Sequence, residues 1–224
     1  MAIDEAKLEA FLGQLISDMG AATGMALTYV GDQLGIYKAM AGAGELTPVG
    51  LATRTGLNQR LLEEWLNTQA AGGYIAYDAD GGTYSLPDEQ AFVLTDPESP
   101  VFMGDGALAF FSVMHAADGK MQEAFQKGSG IHWGDHDPRL FEATERFFRP
   151  GYRTHLTNDW IPALHGVEAK LKAGARVADI GCGHAASTII MAESYPASTF
   201  VAVDSHAGSI ETSKARVVDA GFSD

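Results

Sequence analysis

The 224-residue sequence predicts an α/β protein with a mainly helical N-terminal part and the first strands of a parallel β-sheet near its end. Apolar residues recur at helical spacing before residue 174, and glycines and prolines interrupt them. Residues 175–205 instead run as apolar strand, glycine-rich loop, helix and second apolar strand. We therefore expect a helical domain at residues 1–98, a helical bridge at 99–173 and the start of the sheet domain at 174–224.

The first helices carry an apolar face with few partners in a small domain. Residues 3–19 form an amphipathic stripe, with apolar side chains at positions 8, 11, 12, 15, 16 and 19. Residues 25–40 are expected to continue as helix until Gly42 and Gly44 end it. An unpartnered stripe of this kind predicts a homodimer formed through the N-terminal helices.

A helix-turn-helix followed by a hairpin is predicted between residues 47 and 86. Thr47 and Pro48 are typical of a helix start, and Asn58 is a second N-cap candidate. Apolar residues then recur at helical spacing up to a stop at Gly72. Two short strands flank the turn at residues 78–82. This order of elements predicts a winged helix.

Charge argues against nucleic acid as the partner of this winged helix. Residues 47–90 hold two arginines and six acidic residues, and the whole chain has a formal net charge of −14. Phosphate binding needs the opposite sign, and anionic membranes are disfavoured for the same reason. The start lacks a signal peptide, and the longest apolar run, residues 107–113, is too short to span a bilayer. We expect a cytoplasmic protein, and its single Cys182 excludes an intrachain disulfide.

The glycine-rich loop is the most informative motif. Asp179 precedes Gly181 and Gly183, and Asp204 ends the second predicted strand, where a carboxylate accepts ribose hydroxyls. The spacing of Gly181, Gly183 and Ala186 also fits the Gly-x-Gly-x-x-Ala pattern of a dinucleotide-binding site. Asp179 would repel a pyrophosphate, however, whereas S-adenosylmethionine has no phosphate and presents an ammonium and a sulfonium.

The loop resembles the first motif of class I S-adenosylmethionine-dependent methyltransferases, an acid-x-Gly-x-Gly-x-Gly sequence whose following strand ends in an acid. The resemblance covers about the last fifty residues and implies a Rossmann-like, doubly wound sheet that is incomplete in this chain. Ala185 replaces the third glycine, and its methyl is tolerated at negative φ but could crowd the methionine part of the cofactor. The expected cofactor-binding residues are Asp179, Gly181, Cys182, Gly183, Asp204 and Ser205.

The acidic winged helix resembles the dimerisation domains that precede the catalytic domain of small-molecule methyltransferases. In those proteins, linker helices cover the cofactor cleft, and the resemblance implies that the bridge does so here. The bridge holds the cluster around His132 and Trp133, which we expect to face the glycine loop. His132 and His136 with an Asp are conceivable metal ligands, but Gly134 and Pro138 argue against a shared helical face, so no metal is predicted.

The bridge holds further candidate catalytic and substrate-binding residues. His115 lies in an apolar helix, where a core histidine is the default and a pocket-facing general base is the alternative; His132 is the other catalytic candidate. Phe111 joins His132 and Trp133 as a possible substrate contact. The sequence around Pro150 predicts a helix break. Charged residues before it are interpreted as a solvated face, namely Glu142, Glu145 and Arg146.

The sequence therefore predicts a methyltransferase that uses S-adenosylmethionine to methylate a small molecule by in-line displacement, although this chain alone is not expected to be catalytically complete. Two alternatives stay open. A winged-helix transcriptional regulator could sense a ligand without catalysis, and an NAD-dependent oxidoreductase would use the same loop spacing.

Overall fold

The computed structural model describes residues 3–104 and 106–222, which divide into two compact units, one up to Asp96 and one from Pro97. The first unit is helical with a two-stranded hairpin. Its elements are α1 Glu5–Gln33, α2 Ile36–Met40, α3 Pro48–Thr55, α4 Gln59–Ala71, β1 Ala76–Asp78, β2 Thr83–Ser85 and α5 Asp88–Leu94.

The long first helix confirms the N-terminal prediction except at one point. Asp4 caps α1 by accepting a hydrogen bond from the backbone N–H of Lys7. The predicted continuous helix through residues 25–40 is wrong, because Gly35 adopts a left-handed conformation with φ of 66° and separates α1 from α2. That turn directs Tyr37 and Met40 into the core. The apolar stripe of residues 3–19 is exposed throughout.

The winged helix forms as predicted. Thr47 caps α3 and Asn58 caps α4 through their side-chain oxygens. Strands β1 and β2 pair antiparallel, and Leu46 bridges to Tyr84. The buried apolar side chains around them form one core, which includes Ile36, Tyr37, Met40, Leu51, Leu62, Trp65, Leu66, Ile75, Tyr84, Leu86 and Leu94.

The second unit places a helical segment before a small parallel sheet. Its elements are α6 Gly106–Ala117, α7 Lys120–Lys127, a 3-10 turn Trp133–Asp135, α8 Pro138–Gly151, a π-helix Tyr152–Trp160, α9 Ile161–Ala163, α10 Val167–Ala173, β3 Arg176–Ile180, α11 Ala186–Ser194, β4 Thr199–Val203 and α12 Ala207–Asp219. Strands β3 and β4 are parallel, with Asp179 opposite Ala202 and Ile180 opposite Val203. Because α11 connects them, this is a β-α-β unit.

The predicted break at Pro150 is wrong. Helix α8 runs through Pro150 to Gly151 and continues as a π-helix from Tyr152 to Trp160. Proline removes one backbone donor, and the wider turns of the π-helix follow directly after it. The π-helix packs against α11, so the helical path is stabilised by tertiary contacts that the local sequence does not reveal.

Candidate functional site

The glycine-rich loop begins where β3 ends and is anchored to β4. The backbone N–H groups of Gly181 and Cys182 both donate to the carbonyl oxygen of Val203, at 2.7 and 3.1 Å. Gly181 and Gly183 have positive φ angles of 81° and 54°. A Cβ added at either glycine would meet no atom within 4 Å. The loop therefore leaves open space beside its backbone, into which a ligand can approach closely.

Ala185 adopts the conformation that a glycine would take at this position. Its φ of 61° is the only positive φ of a non-glycine residue among residues 3–104 and 106–222. Ala185 therefore does not have the negative φ at which a methyl group is tolerated without strain. The left-handed conformation costs an L-residue about 1–2 kcal/mol. Ala185 is fully buried and does not line the cavity described below, so its methyl lies in the protein interior instead of crowding a ligand.

Asp204 connects the glycine-rich loop to the residues that follow β4. Its Oδ2 accepts a hydrogen bond from the backbone N–H of Gly183 at 2.9 Å, and its Oδ1 accepts one from that of His206 at 2.8 Å. A carboxylate oxygen has two acceptor sites, so each oxygen keeps one for a ligand hydroxyl. Asp204 thus holds the loop in shape and still has acceptor capacity on its open side.

Asp179 is oriented by the first turn of α11. The hydroxyls of Ser187 and Thr188 both donate to Asp179 Oδ2, at 2.8 and 2.6 Å. Two donors on one oxygen fix the direction of the carboxylate and leave its charge beside the loop. Serine and threonine therefore serve here as partners of the motif acid, a role that their positions after the glycines did not reveal.

A cavity of about 400 Å³ is lined by all six predicted cofactor-binding residues. This volume is in the range of small-molecule sites. From the loop and the strand ends it is lined by Asp179, Gly181, Cys182, Gly183, His184, Ala186, Ser187, Asp204, Ser205 and Ser209. From the preceding helices it is lined by Trp133, Phe141, Thr144, Glu145, Phe148 and Tyr152. We call it the loop cavity.

The acidic side chains that line the loop cavity have no lysine or arginine counterpart among its described lining residues. Three carboxylates line it, from Asp179, Glu145 and Asp204, and no lysine or arginine is among its described lining residues. Burial, and then the Arg216 guanidinium, lower the pKa of His184, which favours the neutral imidazole. Such a lining suits a cationic ligand better than a phosphate-bearing one.

Cys182 is a packing residue of the loop. It is buried, and burial followed by the charges of Asp179 and Asp204 raises the pKa of its thiol. The thiol therefore stays protonated near neutral pH and is a poor nucleophile.

Helix α8 supplies a wall that the sequence analysis missed. Glu145 was expected on a solvated face, but that expectation is wrong because its side chain is only 6% exposed. Its Oε1 lies 2.9 Å from Arg216 Nη1 on α12 and 3.4 Å from Arg149 Nε, one turn further along α8. Glu142 is exposed, as expected. The i,i+4 spacing to Arg149 was visible in the sequence, whereas the pairing with Arg216 depends on the fold.

An aromatic cluster lines the cavity near Asp204. The rings of Trp133 and Phe141 have centroids 5.3 Å apart, and those of Phe141 and His206 are 4.4 Å apart. Trp133 therefore lies on the same cavity as Gly181 and Gly183. His132 is not among the residues that line this cavity; its Nδ1 accepts a hydrogen bond from the backbone N–H of Gly134 and caps the 3-10 turn.

The two candidates on α6 do not reach the loop cavity. His115 is exposed, so the expectation of a core histidine is wrong. Phe111 is half-buried and packs edge-to-face against Phe110, with centroids 6.1 Å apart. Neither residue is among those that line the cavity. An apolar segment only 12 residues long gave no indication of which helical face would be covered.

Within residues 3–104 and 106–222, no group of three or more His, Cys, Asp or Glu side chains is arranged to hold a metal ion. Over the same residues, none of the helices combines the length and the apolar character that crossing a membrane requires.

The fold matches solved methyltransferase structures over almost all of this chain. The mitomycin 7-O-methyltransferase MmcR aligns with 98% of it, at a TM-score of 0.68 and 18% identity. A putative O-methyltransferase from Nostoc punctiforme covers 99% at 0.66 and 16%. CalO1, a methyltransferase in calicheamicin biosynthesis solved with SAH (S-adenosylhomocysteine) bound, covers 94% at 0.55 and 21%. The chain spans 65%, 62% and 62% of these three proteins, respectively.

The comparisons show the fold of the chain. The chain has the fold of the N-terminal portion of a class I S-adenosylmethionine-dependent methyltransferase with an N-terminal winged-helix domain. More narrowly, residues 21–96 match the family model of the Rv2258c-like winged HTH domain. No protein of curated function matches the sequence.

Proposed function

We propose that this chain binds S-adenosylmethionine in the loop cavity and belongs to an enzyme that methylates a small molecule. The proposal rests on the charges that line this cavity: three carboxylates line it, and no lysine or arginine is among its described lining residues. This lining fits a ligand with an ammonium and a sulfonium and opposes the pyrophosphate of NAD. The open space beside Gly181 and Gly183 fits close backbone approach.

The residues present fit the cofactor in distinct ways. Asp204 would accept hydrogen bonds from ribose hydroxyls with the acceptor sites that Gly183 and His206 leave unused. Asp179 would complement the cationic methionyl end. Ser205 and Cys182 line the same space. When bound, S-adenosylmethionine supplies an electrophilic methyl group on a sulfonium centre.

The protein's part in the reaction is alignment. In-line displacement requires the acceptor atom, the methyl carbon and the sulfur to lie on one line, so fixing the geometry lowers the barrier. Trp133, Phe141 and Phe148 supply an apolar wall that would exclude water from this end of the site. The names of the similar structures favour oxygen as the methyl acceptor.

The first half of α1 favours a homodimer. Phe11 and Ile16 are 61% and 68% exposed, and they belong to an apolar stripe on one face of the helix. A patch of this kind on a soluble chain marks an interaction surface. A second copy presenting the same stripe would bury both faces in a two-fold arrangement.

Calorimetric titration of the whole protein with S-adenosylmethionine and with NAD separates the two cofactor interpretations. We expect binding of S-adenosylmethionine, and of its product S-adenosylhomocysteine, with no binding of NAD at the same concentrations. Binding of NAD alone would refute the proposal. Binding of neither ligand would leave the ligand-sensing regulator as the better hypothesis.

A further inference from the structure

Glu145 is a buried carboxylate whose hydrogen-bonding capacity is unused. Its side chain is 6% exposed, and neither Oε1 nor Oε2 accepts a hydrogen bond in the described structure. Buried polar atoms are nearly always hydrogen-bonded, and leaving a charged one without a donor is costly. Each exception therefore calls for a missing partner.

The two arginines beside Glu145 compensate its charge but do not supply that partner. Arg216 and Arg149 make their closest approaches to Oε1, and the orientation of neither guanidinium is that of a hydrogen bond. These ion pairs offset part of the desolvation cost of burying a carboxylate at this point of α8. Oε2 is left without a donor, on a side chain that lines the loop cavity.

Glu145 belongs to the part of the cavity next to the start of α11. It shares the lining of both the loop cavity and a neighbouring cavity of about 200 Å³ with Ala186, the first residue of α11. The next two residues, Ser187 and Thr188, are the ones that orient Asp179. Asp204, the proposed ribose acceptor, lies at the end of β4 instead. Glu145 is therefore grouped with the acid proposed for the cationic end of the cofactor.

We infer that Glu145 is a cofactor-recognition residue, whose Oε2 accepts a hydrogen bond from the α-ammonium group of S-adenosylmethionine. This inference rests on the proposed function. The cavity has two more carboxylates and no lysine or arginine among its described lining residues. In such a cavity, a carboxylate that lacks a hydrogen-bond donor selects a cationic donor over a neutral one. Arg216 and Arg149 hold Glu145 in place, so they act as positioning residues.

The test compares two probes that differ in the group recognised. S-adenosylhomocysteine carries the α-ammonium, whereas 5′-methylthioadenosine keeps the adenosine and thioether but lacks the amino acid part. Both are titrated into the whole wild-type protein and into Glu145→Gln. We expect the variant to bind S-adenosylhomocysteine about ten- to a hundredfold more weakly, the range for a hydrogen bond between charged groups. Its affinity for 5′-methylthioadenosine should stay within about twofold of wild type.

The matched control is Glu142→Gln, one turn earlier on α8 and exposed. It should leave both affinities unchanged. Equal weakening of both probes by Glu145→Gln would show a structural role only and overturn the inference, as would unchanged binding of both. If Glu145→Gln does not fold, Glu145→Asp replaces it: the charge is kept beside Arg216, the carboxylate is withdrawn by one methylene, and the same selective loss is expected.

The same data separate this inference from the proposed function. If the wild type and Glu145→Gln bind S-adenosylhomocysteine equally well, only the role of Glu145 is refuted. A wild-type protein that does not bind S-adenosylhomocysteine refutes the proposed function, and the role of Glu145 with it.

Discussion

Replacing Asp204 with alanine tests the centre of the proposed cofactor site. The carboxylate accepts two backbone hydrogen bonds, from Gly183 and His206, and we propose that it also accepts ribose hydroxyls. Hydrogen bonds to a charged group contribute about 1.5–3 kcal/mol, so losing the ribose contact should weaken binding about ten- to a hundredfold. Because the loop also loses its anchor, we expect a result at the upper end of that range.

The same substitution should lower stability. Asp204→Ala leaves two half-buried backbone donors without their acceptor, and each such loss costs about 1–3 kcal/mol where water does not replace it. A decrease of about 2 kcal/mol corresponds to roughly 4–8 °C in melting temperature for a chain of this size. Binding is therefore measured by calorimetry at a temperature well below the melting point of the variant, so that only folded protein is titrated.

Asp219→Ala is the matched control, since Asp219 is an exposed aspartate at the end of α12 that does not line the loop cavity. It should bind S-adenosylmethionine as the wild type does. Undiminished binding by Asp204→Ala would refute the ribose role. An affinity loss in both variants would point to the overall charge of the chain and not to a contact.

Two further substitutions test the loop conformation and the N-terminal helix. Ala185→Gly should stabilise the protein by about 1 kcal/mol in urea unfolding, because glycine adopts a φ of 61° without strain; a loss of stability would show that packing of the methyl outweighs the backbone strain. Phe11→Glu should convert a dimer to a monomer in light scattering, with an unchanged circular dichroism spectrum. Its control is Glu9→Gln on the same exposed segment. A wild-type protein that is already monomeric at micromolar concentration would contradict the dimer.

Local signals predicted the elements whose ends are fixed by one or two residues. The caps at Thr47 and Asn58 and the proline that begins α3, Pro48, are each visible in the sequence, because a side-chain oxygen or a proline ring acts on its own neighbours. The β-α-β unit was equally visible, since strand, glycines and following acid lie within thirty residues. The loop acid and its glycines line one cavity in the structure.

Tertiary contacts determine the burial of side chains for which the sequence-based prediction was wrong. Glu145 lies in a charged stretch typical of a solvated helix face. Its burial is compensated by ion pairs with Arg149 and with Arg216, and the partner 71 positions later in the chain is set by the fold. The prediction of a core position for His115 was wrong in the opposite direction, since this residue is exposed. An apolar helix is not covered on every side, and His115 lies on a side that is uncovered. Periodicity shows which residues share a face but not what packs against that face.

The π-helix from Tyr152 to Trp160 has a consequence for which side chains share a helical face. Each of its turns holds more residues than an α-helical turn, so a side chain before the segment and one after it no longer share the face that a period of 3.6 assigns them. The π-helix therefore sets which side chains of residues 152–160 face α11, the helix against which it packs. The same residues in an α-helix would turn a different set of side chains toward α11.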